Sequence, residues 1–490
     1  MNSYNKERLS SGINGLDTIL NGGFIANRSY LLVGPPGSGR TIFSFQWLLD
    51  GSQKGEKCLY ISLAEPSKEL SDNLSSFGWD ISGIQVVELG ERVGTKAGYR
   101  GEYRVFSPGE VEEHSLWQSL YEEVEKRKPR RLVVDSATYL RFLSVDELQL
   151  RKQIYAFINF LRETECTTIF THEPFEVSGE IIFALAADGI IRLRREVSEG
   201  RVVEIRSLEV QKFRGSDYIG GLHPFRITGK GIVVFPHEIF KGTHSNLGER
   251  IIRSGVPEID ELLGGGIESG TATIITGPTG VGKTTLGTQF ITHSCASNLK
   301  GAIFSFEESI ESIVKRCSGV GIPLSEMISN GVAFATRINP MELYPDEFFS
   351  LVRNVVENSK VDVVLIDSLR GYQLAMEQFG TLVSHFQNLV NYLNYNGVTT
   401  FVVNEVEHIT GNLTLTELGV SFLIDNAIII RFMEMSGEVK SVIACLKKRL
   451  GSYQKELREF EVTKFGIKVG EKLEGMMGIL TGIPEKAEGD

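Results

Sequence analysis

Gly277-Pro278-Thr279-Gly280-Val281-Gly282-Lys283-Thr284 is the stretch that decides how this chain folds. An apolar run of strand length, Thr271 to Thr276, leads into it, and helical periodicity from Thr284 to Thr292 follows. Strand, glycine turn and helix together make the context in which G-x4-G-K-T cradles phosphate. The glycines let backbone N–H groups turn toward the anion, Lys283 brings a cation, and the Thr284 hydroxyl suits Mg²⁺. Gly277, Thr279, Gly280, Val281, Gly282, Lys283, Thr284 and Thr285 are therefore the candidate binding residues of this segment.

The same unit is written earlier in the chain. An offset of 243 residues carries Gly34-Pro35-Pro36-Gly37-Ser38-Gly39-Arg40-Thr41 onto that loop, Gly12 onto Gly255, Asp17 onto Asp260, and Glu65 onto Glu308. The offset shortens to 232 between Asp135 and Asp367, so the first copy holds extra loop residues. In each copy further strands are expected at Cys58 to Leu63 and Ala302 to Phe306, at the runs ending in Asp135 and Asp367, and at Thr167 to Thr171 and Thr399 to Val403. Helices between them show apolar residues at Leu116, Leu120 and Val124, at Ile154, Phe157 and Leu161, and at the corresponding places of the second copy. Such alternation predicts an α/β fold, two tandem domains that each hold a mainly parallel sheet flanked by helices. Apolar periodicity lapses from Phe235 to Gly248, FPHEIFKGTHSNLG, which places the domains at 1–243 and 244–484, with a tail of 485–490.

Composition narrows the function classes. Over 490 residues Lys and Arg number 51 against 62 Asp and Glu, a net charge of −11, which argues against a nucleic-acid partner bound through bulk charge. The basic run Lys126 to Arg131 closes an acidic-headed helix and is read as a structural end cap. Five scattered cysteines without C-x-x-C spacing suit reduced thiols and neither a disulfide nor a zinc site. No signal peptide or membrane span is expected, and the protein is expected to be cytoplasmic.

Chemistry is concentrated at the strand ends. Asp367 would hold Mg²⁺ together with Thr284, as Asp135 would with Thr41. Glu307 and Glu308 close AIFSFEE, where a carboxylate can activate an attacking water or hydroxyl, and Glu308 also counts as an oxygen donor for the metal. The first copy departs at two places: its loop (Gly34, Gly37, Ser38, Gly39, Arg40, Thr41) carries arginine for lysine, and Leu63-Ala64-Glu65 keeps only the second acid. Arginine lacks the compact ammonium geometry of lysine. The first domain is accordingly expected to bind ATP with little turnover and the second, through Lys283, to hydrolyse it; Glu65 is the one catalytic acid left to the first. Lys212-Phe213-Arg214 and Lys447-Lys448-Arg449 recur after the last strands and are expected to reach a γ-phosphate across a subunit boundary.

With two such cores, each opening S-G-x4-D-x2-L-x-G-G, with paired acids after the second strand, with FGWD at Phe77 to Asp80 and with a late K-x-R-G-S motif, the chain resembles the KaiC family of circadian-clock ATPases. That resemblance implies two RecA-like P-loop NTPase domains, ATP and Mg²⁺ as cofactors, a homohexameric double ring, slow hydrolysis, and autokinase activity in the second domain. The family's adjacent Ser and Thr acceptors match Ser421 and Phe422, so Ser421 is the phosphorylation candidate. A KaiB-like partner is compatible with the resemblance. A KaiA-type partner is not expected, because the chain runs only six residues past Pro484. The competing reading is a RecA/Rad-type recombination or repair ATPase, against which the two cores and the acidic balance speak.

Overall fold

In both halves the glycine loop follows a strand with no exposed residue, Ser29–Val33 in the first and Ala272–Gly277 in the second. A strand buried on both faces needs neighbours on either side and cover above and below. The computed structural model supplies them. It describes residues 6–63, 65–89, 108–143, 146–174, 178–197, 204–238, 240, 242, 247–376, 382–406, 419–435, 437–474, 476–477 and 485–486.

Among the described residues each half carries a nine-stranded sheet of the same order. In the first, Ile84–Glu88, Cys58–Ser62, Arg131–Asp135, Thr167–His172, Ser29–Val33 and Gly189–Val197 lie parallel. Glu204–Phe213, Leu222–Thr228 and Gly231–Val234 extend it antiparallel. In the second, the parallel set is Ala333–Arg337, Gly301–Ser305, Val363–Asp367, Thr399–Glu405, Ala272–Gly277 and Asn426–Met435. Glu438–Lys448, Arg458–Thr463 and Gly466–Lys472 follow antiparallel.

Successive side chains of a strand point to opposite faces, and the cores divide accordingly. Tyr30 and Leu32 join one apolar cluster with Phe43, Phe45 and Trp47 of the helix Arg40–Gln53, whereas Leu31 and Val33 join another with Leu120, Ile154 and Phe157. The second half repeats this: Ile274 packs with Phe348 and Phe386, and Ile275 packs with Leu286 and Phe290 of the helix Lys283–Ala296. These are the α/β layers expected from the alternation.

The basic run of the first half is held inside its own domain. Arg131, fully buried, pairs with Asp50 and Glu56, donates to the Ser10 and Trp47 carbonyls, and lies 5.3 Å from the Trp47 ring centroid. Arg127 pairs with Glu123 at 2.7 Å. All five cysteines are buried thiols; burial pushes Cys58 and Cys166 up to about 12, which keeps them protonated.

The chain divides into two compact units, Met1–Glu238 and Ile239–Asp490. This is five residues ahead of the break expected after 243, because Phe240 belongs with the second unit. Its ring packs edge-on to Tyr392 and Tyr395, and its amide donates to Asn388. Residues 243 and 244 themselves, like Ala64 and residues 478–484, lie outside the described residues.

Candidate active site

Gly282 caps the helix Lys283–Ala296 at φ 102°, a left-handed conformation that glycine adopts without strain. Gly277 is required by closeness: a Cβ there would come within 2.1 Å of the Ile430 carbonyl. The loop so formed wraps a cavity of about 360 Å³. Thr279, Gly280, Gly282, Lys283, Thr284 and Thr285 line it, together with Glu307, Glu308 and Asp367. Sequence reasoning thus brought these nine residues to one place. Val281 instead turns its side chain into the apolar core, leaving only its backbone for an anion.

The cavity carries opposed charges on partly buried side chains. Lys283 donates to the Pro278 carbonyl at 2.7 Å, and burial pulls its pKa down against the pull of Glu405, Asp367 and Glu307. Thr284 Oγ1 donates to Asp367 Oδ2 at 2.9 Å. Burial pushes the Asp367 carboxyl up to about 6 despite that hydrogen bond. Glu307 and Glu308 lie past the end of their strand at Ser305, since Ser305 Oγ takes the Glu308 amide and donates to its carbonyl, turning the chain. Glu307 accepts from Ser368 Oγ. Glu308 is tethered by Ser312 at 3.2 Å and Arg316 at 2.5 Å.

Triphosphate and Mg²⁺ fit this donor set. Gly280, at the loop's tip, has open space where a Cβ would stand. A hydroxyl beside a carboxylate is hard oxygen chemistry suited to Mg²⁺. Three polar wall residues escaped sequence reasoning, Arg316, Ser368 and Glu405, as did the apolar Val403 and Val462. The repeat offsets were the available signal, because they pair Arg316 with Asn73 and Glu405 with Glu173.

The first site is built on the same backbone with different contacts. Gly39 caps the helix Arg40–Gln53 at φ 97°, and the Gly37 carbonyl accepts from Arg206 at 2.7 Å. A Cβ on Gly34 would meet Ser38 Oγ at 2.4 Å. Arg40 reaches across to Glu173 at 2.8 Å. Asp135 accepts from both Tyr60 and Thr171, whereas the equivalent neighbours of Asp367 are the apolar Ile303 and Val403. Glu65 accepts from Asn73 at 2.9 Å, and Thr41 begins the helix beside Arg40.

The two basic motifs align through their sheets: Ile190 opposes Lys212 and Ala427 opposes Lys447, so Lys447 is the match of Lys212. Both amines cap carbonyls of their own domain. Lys212 bonds Ala184 at 2.7 Å and Ala187 at 2.6 Å; Lys447 bonds Ser421 at 3.1 Å and Ile424 at 2.5 Å. Arg449 joins Asp425 and the Phe422 carbonyl, while the Arg214 amide bonds the Asp188 carbonyl. None of these cations lines the Lys283 cavity. Ser421 stands exposed in the one-turn helix Ser421–Leu423 that Lys447 and Arg449 hold.

Two tandem mainly parallel α/β domains with a phosphate loop at the head of the same helix define a double RecA-like ATPase. The model of the KaiC ATPase family matches residues 9–239 and 252–474, and the chain belongs to that family. It is 29% identical over 486 residues to circadian clock protein KaiC3 of Synechocystis sp., covering 98% of this chain and 94% of that one. It is 26% identical to the circadian clock oscillator protein KaiC of Synechococcus elongatus, covering 98% and 92%. To KaiC of Prochlorococcus marinus it is 26% identical over 99% and 97%. The recombinase reading finds no support in these matches. Among the described residues no helix is long and apolar enough to cross a membrane.

Proposed function

We propose that the second domain hydrolyses ATP at the Lys283 cavity and that the first holds ATP with little turnover. The observation that carries this reading is the contrast between two sites on one backbone. In the second, Lys283, the Thr284–Asp367 pair, Glu307 and Glu308 converge on one cavity. In the first, Arg40 is engaged by Glu173, Asp135 by two hydroxyls, and alanine stands in place of Glu307.

Thr284 and Asp367 would hold Mg²⁺, which when bound would offset the charge of the phosphates. The loop amides and Lys283 hold the β- and γ-phosphates. Glu307, oriented by Ser368, takes the proton of the attacking water as its oxygen bonds to the γ-phosphorus and the bond to the β-phosphate oxygen breaks. ADP and inorganic phosphate leave. With a serine hydroxyl as nucleophile the same site becomes a kinase; Ser421 is the acceptor, reached in a homohexameric double ring of the kind the family resemblance implies. There the exposed Arg214 and Arg449 would turn to the neighbouring subunit's nucleotide, while Lys212 and Lys447 hold the carbonyls of their own domain beside them. The role that follows is signalling or clock-like regulation, with a KaiB-like partner.

Steady-state phosphate release decides between the sites. Lys283→Ala is expected to lower turnover at least about 100-fold and Arg40→Ala less than about 3-fold. If the Lys283→Ala protein kept most of the activity, the assignment of hydrolysis to the second domain would be wrong. Mass spectrometry after incubation with MgATP should find phosphate on Ser421, and its absence removes the kinase part alone.

A further inference from the structure

The side chain with most left to bind in the second cavity is Arg316. It lies two turns into the helix Ile310–Gly319, which Ser309 caps by accepting from the Ser312 amide. Its Nη1 is spent on Glu308 at 2.5 Å. Its Nε and Nη2 are buried and have no hydrogen-bond partner among the described residues. A guanidinium carries five donors and cannot shed its proton, so two donors withdrawn from water and left unpaired are a standing cost unless a ligand supplies acceptors. Arg316 belongs to the wall that also presents Lys283, Thr284 and Asp367, and it is close enough to act electrostatically on Asp367.

A planar fork of two free N–H groups matches the oxygens of a phosphate better than any other group expected in this cavity. Glu308, itself bonded by Ser312, holds the guanidinium through Nη1, so the fork needs little ordering when a ligand arrives. The first domain has Asn73 at this place, bonded to Glu65 through its side-chain amide, and so has the tether without the cation. Arg316 is thus a difference between the two sites that neither the phosphate loop nor the paired acids reveal.

We propose that Arg316 is a ligand of the terminal phosphate of the nucleotide in the second domain, and that through it this site prefers the triphosphate to the diphosphate. The proposal rests on the reading of the Lys283 cavity as a nucleotide site and names which phosphate the arginine reads. A role confined to tethering Glu308 would treat triphosphate and diphosphate alike, which separates the two explanations.

The test uses the full chain carrying Arg40→Ala, so that binding reports on the second site, with a fluorescent non-hydrolysable ATP analogue and fluorescent ADP titrated in Mg²⁺. Arg316→Asn, the residue found in the first domain, should weaken the triphosphate analogue about 10- to 100-fold and ADP less than about 3-fold. Arg316→Lys, which keeps charge without the fork, should fall between, and equal thermal midpoints should show that both variants fold. Equal losses for the two nucleotides, or no loss for either, overturn the proposal. If the parent binds neither nucleotide, the nucleotide-site reading fails first and takes this one with it.

Discussion

Asp367 shows how a single buried acid couples the site to pH. It is 2% exposed, and burial holds its pKa near 6 when an accessible aspartate would titrate near 3.8. Because the folded value is the higher, the folded state keeps a proton that the unfolded chain has lost. Stability of the ligand-free protein therefore falls as pH rises through the window from about 4 to about 6, and the penalty is complete above it. Asp367→Asn removes this penalty while the amide oxygen can still accept from Thr284. It is expected to stabilise the ligand-free protein by about 2–3 kcal/mol near pH 7.5 and by clearly less near pH 5. Urea denaturation at the two pH values measures this, and an equal gain at both would show that the carboxylate's charge is not the cause. Asp135 is the informative contrast: two hydroxyls already satisfy it, and the sequence of the first copy gave no warning, since Tyr60 and Thr171 sit on other strands.

At the level of elements, the late basic motif emerges as a clasp on the Ser421 turn. Lys447 bonds the carbonyls of Ser421 and Ile424, and Arg449 bonds those of Phe422 and the Asp425 carboxylate. A one-turn helix has too few internal hydrogen bonds to hold itself, so these side chains set its stability. Lys447→Ala should raise amide exchange across Val420 to Asp425 about 10-fold, the effect of losing roughly 1–2 kcal/mol of local hydrogen bonding. Hydrogen exchange followed by mass spectrometry reads it, and unchanged protection would assign the clasp to Arg449 alone. From the sequence these cations looked like reagents for another subunit's phosphate. Their local work was not visible there, because the carbonyls they bond are about 25 residues away in the chain and meet them only across adjacent strands.

At the scale of the whole molecule, the proposed ring makes a prediction of its own. If nucleotide sites are completed at subunit boundaries, assembly depends on the ligand, because binding to the assembled state alone shifts the equilibrium by mass action. Light scattering should report a hexamer in MgATP and a smaller species after its removal. A nucleotide-independent monomer would remove the ring from the proposed function.

The repeat, the apolar strand runs, the helical patterns and the phosphate loop were all legible in the chain, because each is a local requirement: a strand buried on both faces must be apolar throughout, and a loop that wraps phosphate needs glycine where Cβ cannot fit. The paired acids and Asp367 were legible for the same reason, as strand ends in a parallel sheet face one crevice. Tertiary structure alone decided which partners these groups meet. Arg316 lines the cavity while its Nε and Nη2 stay unpaired, Asp135 is taken up by neighbours on two other strands, and Lys447 bends back to its own domain. Each outcome depends on side chains brought together from distant parts of the chain, and hydrogen bonds across strands obey spatial register, which no local pattern of residues encodes.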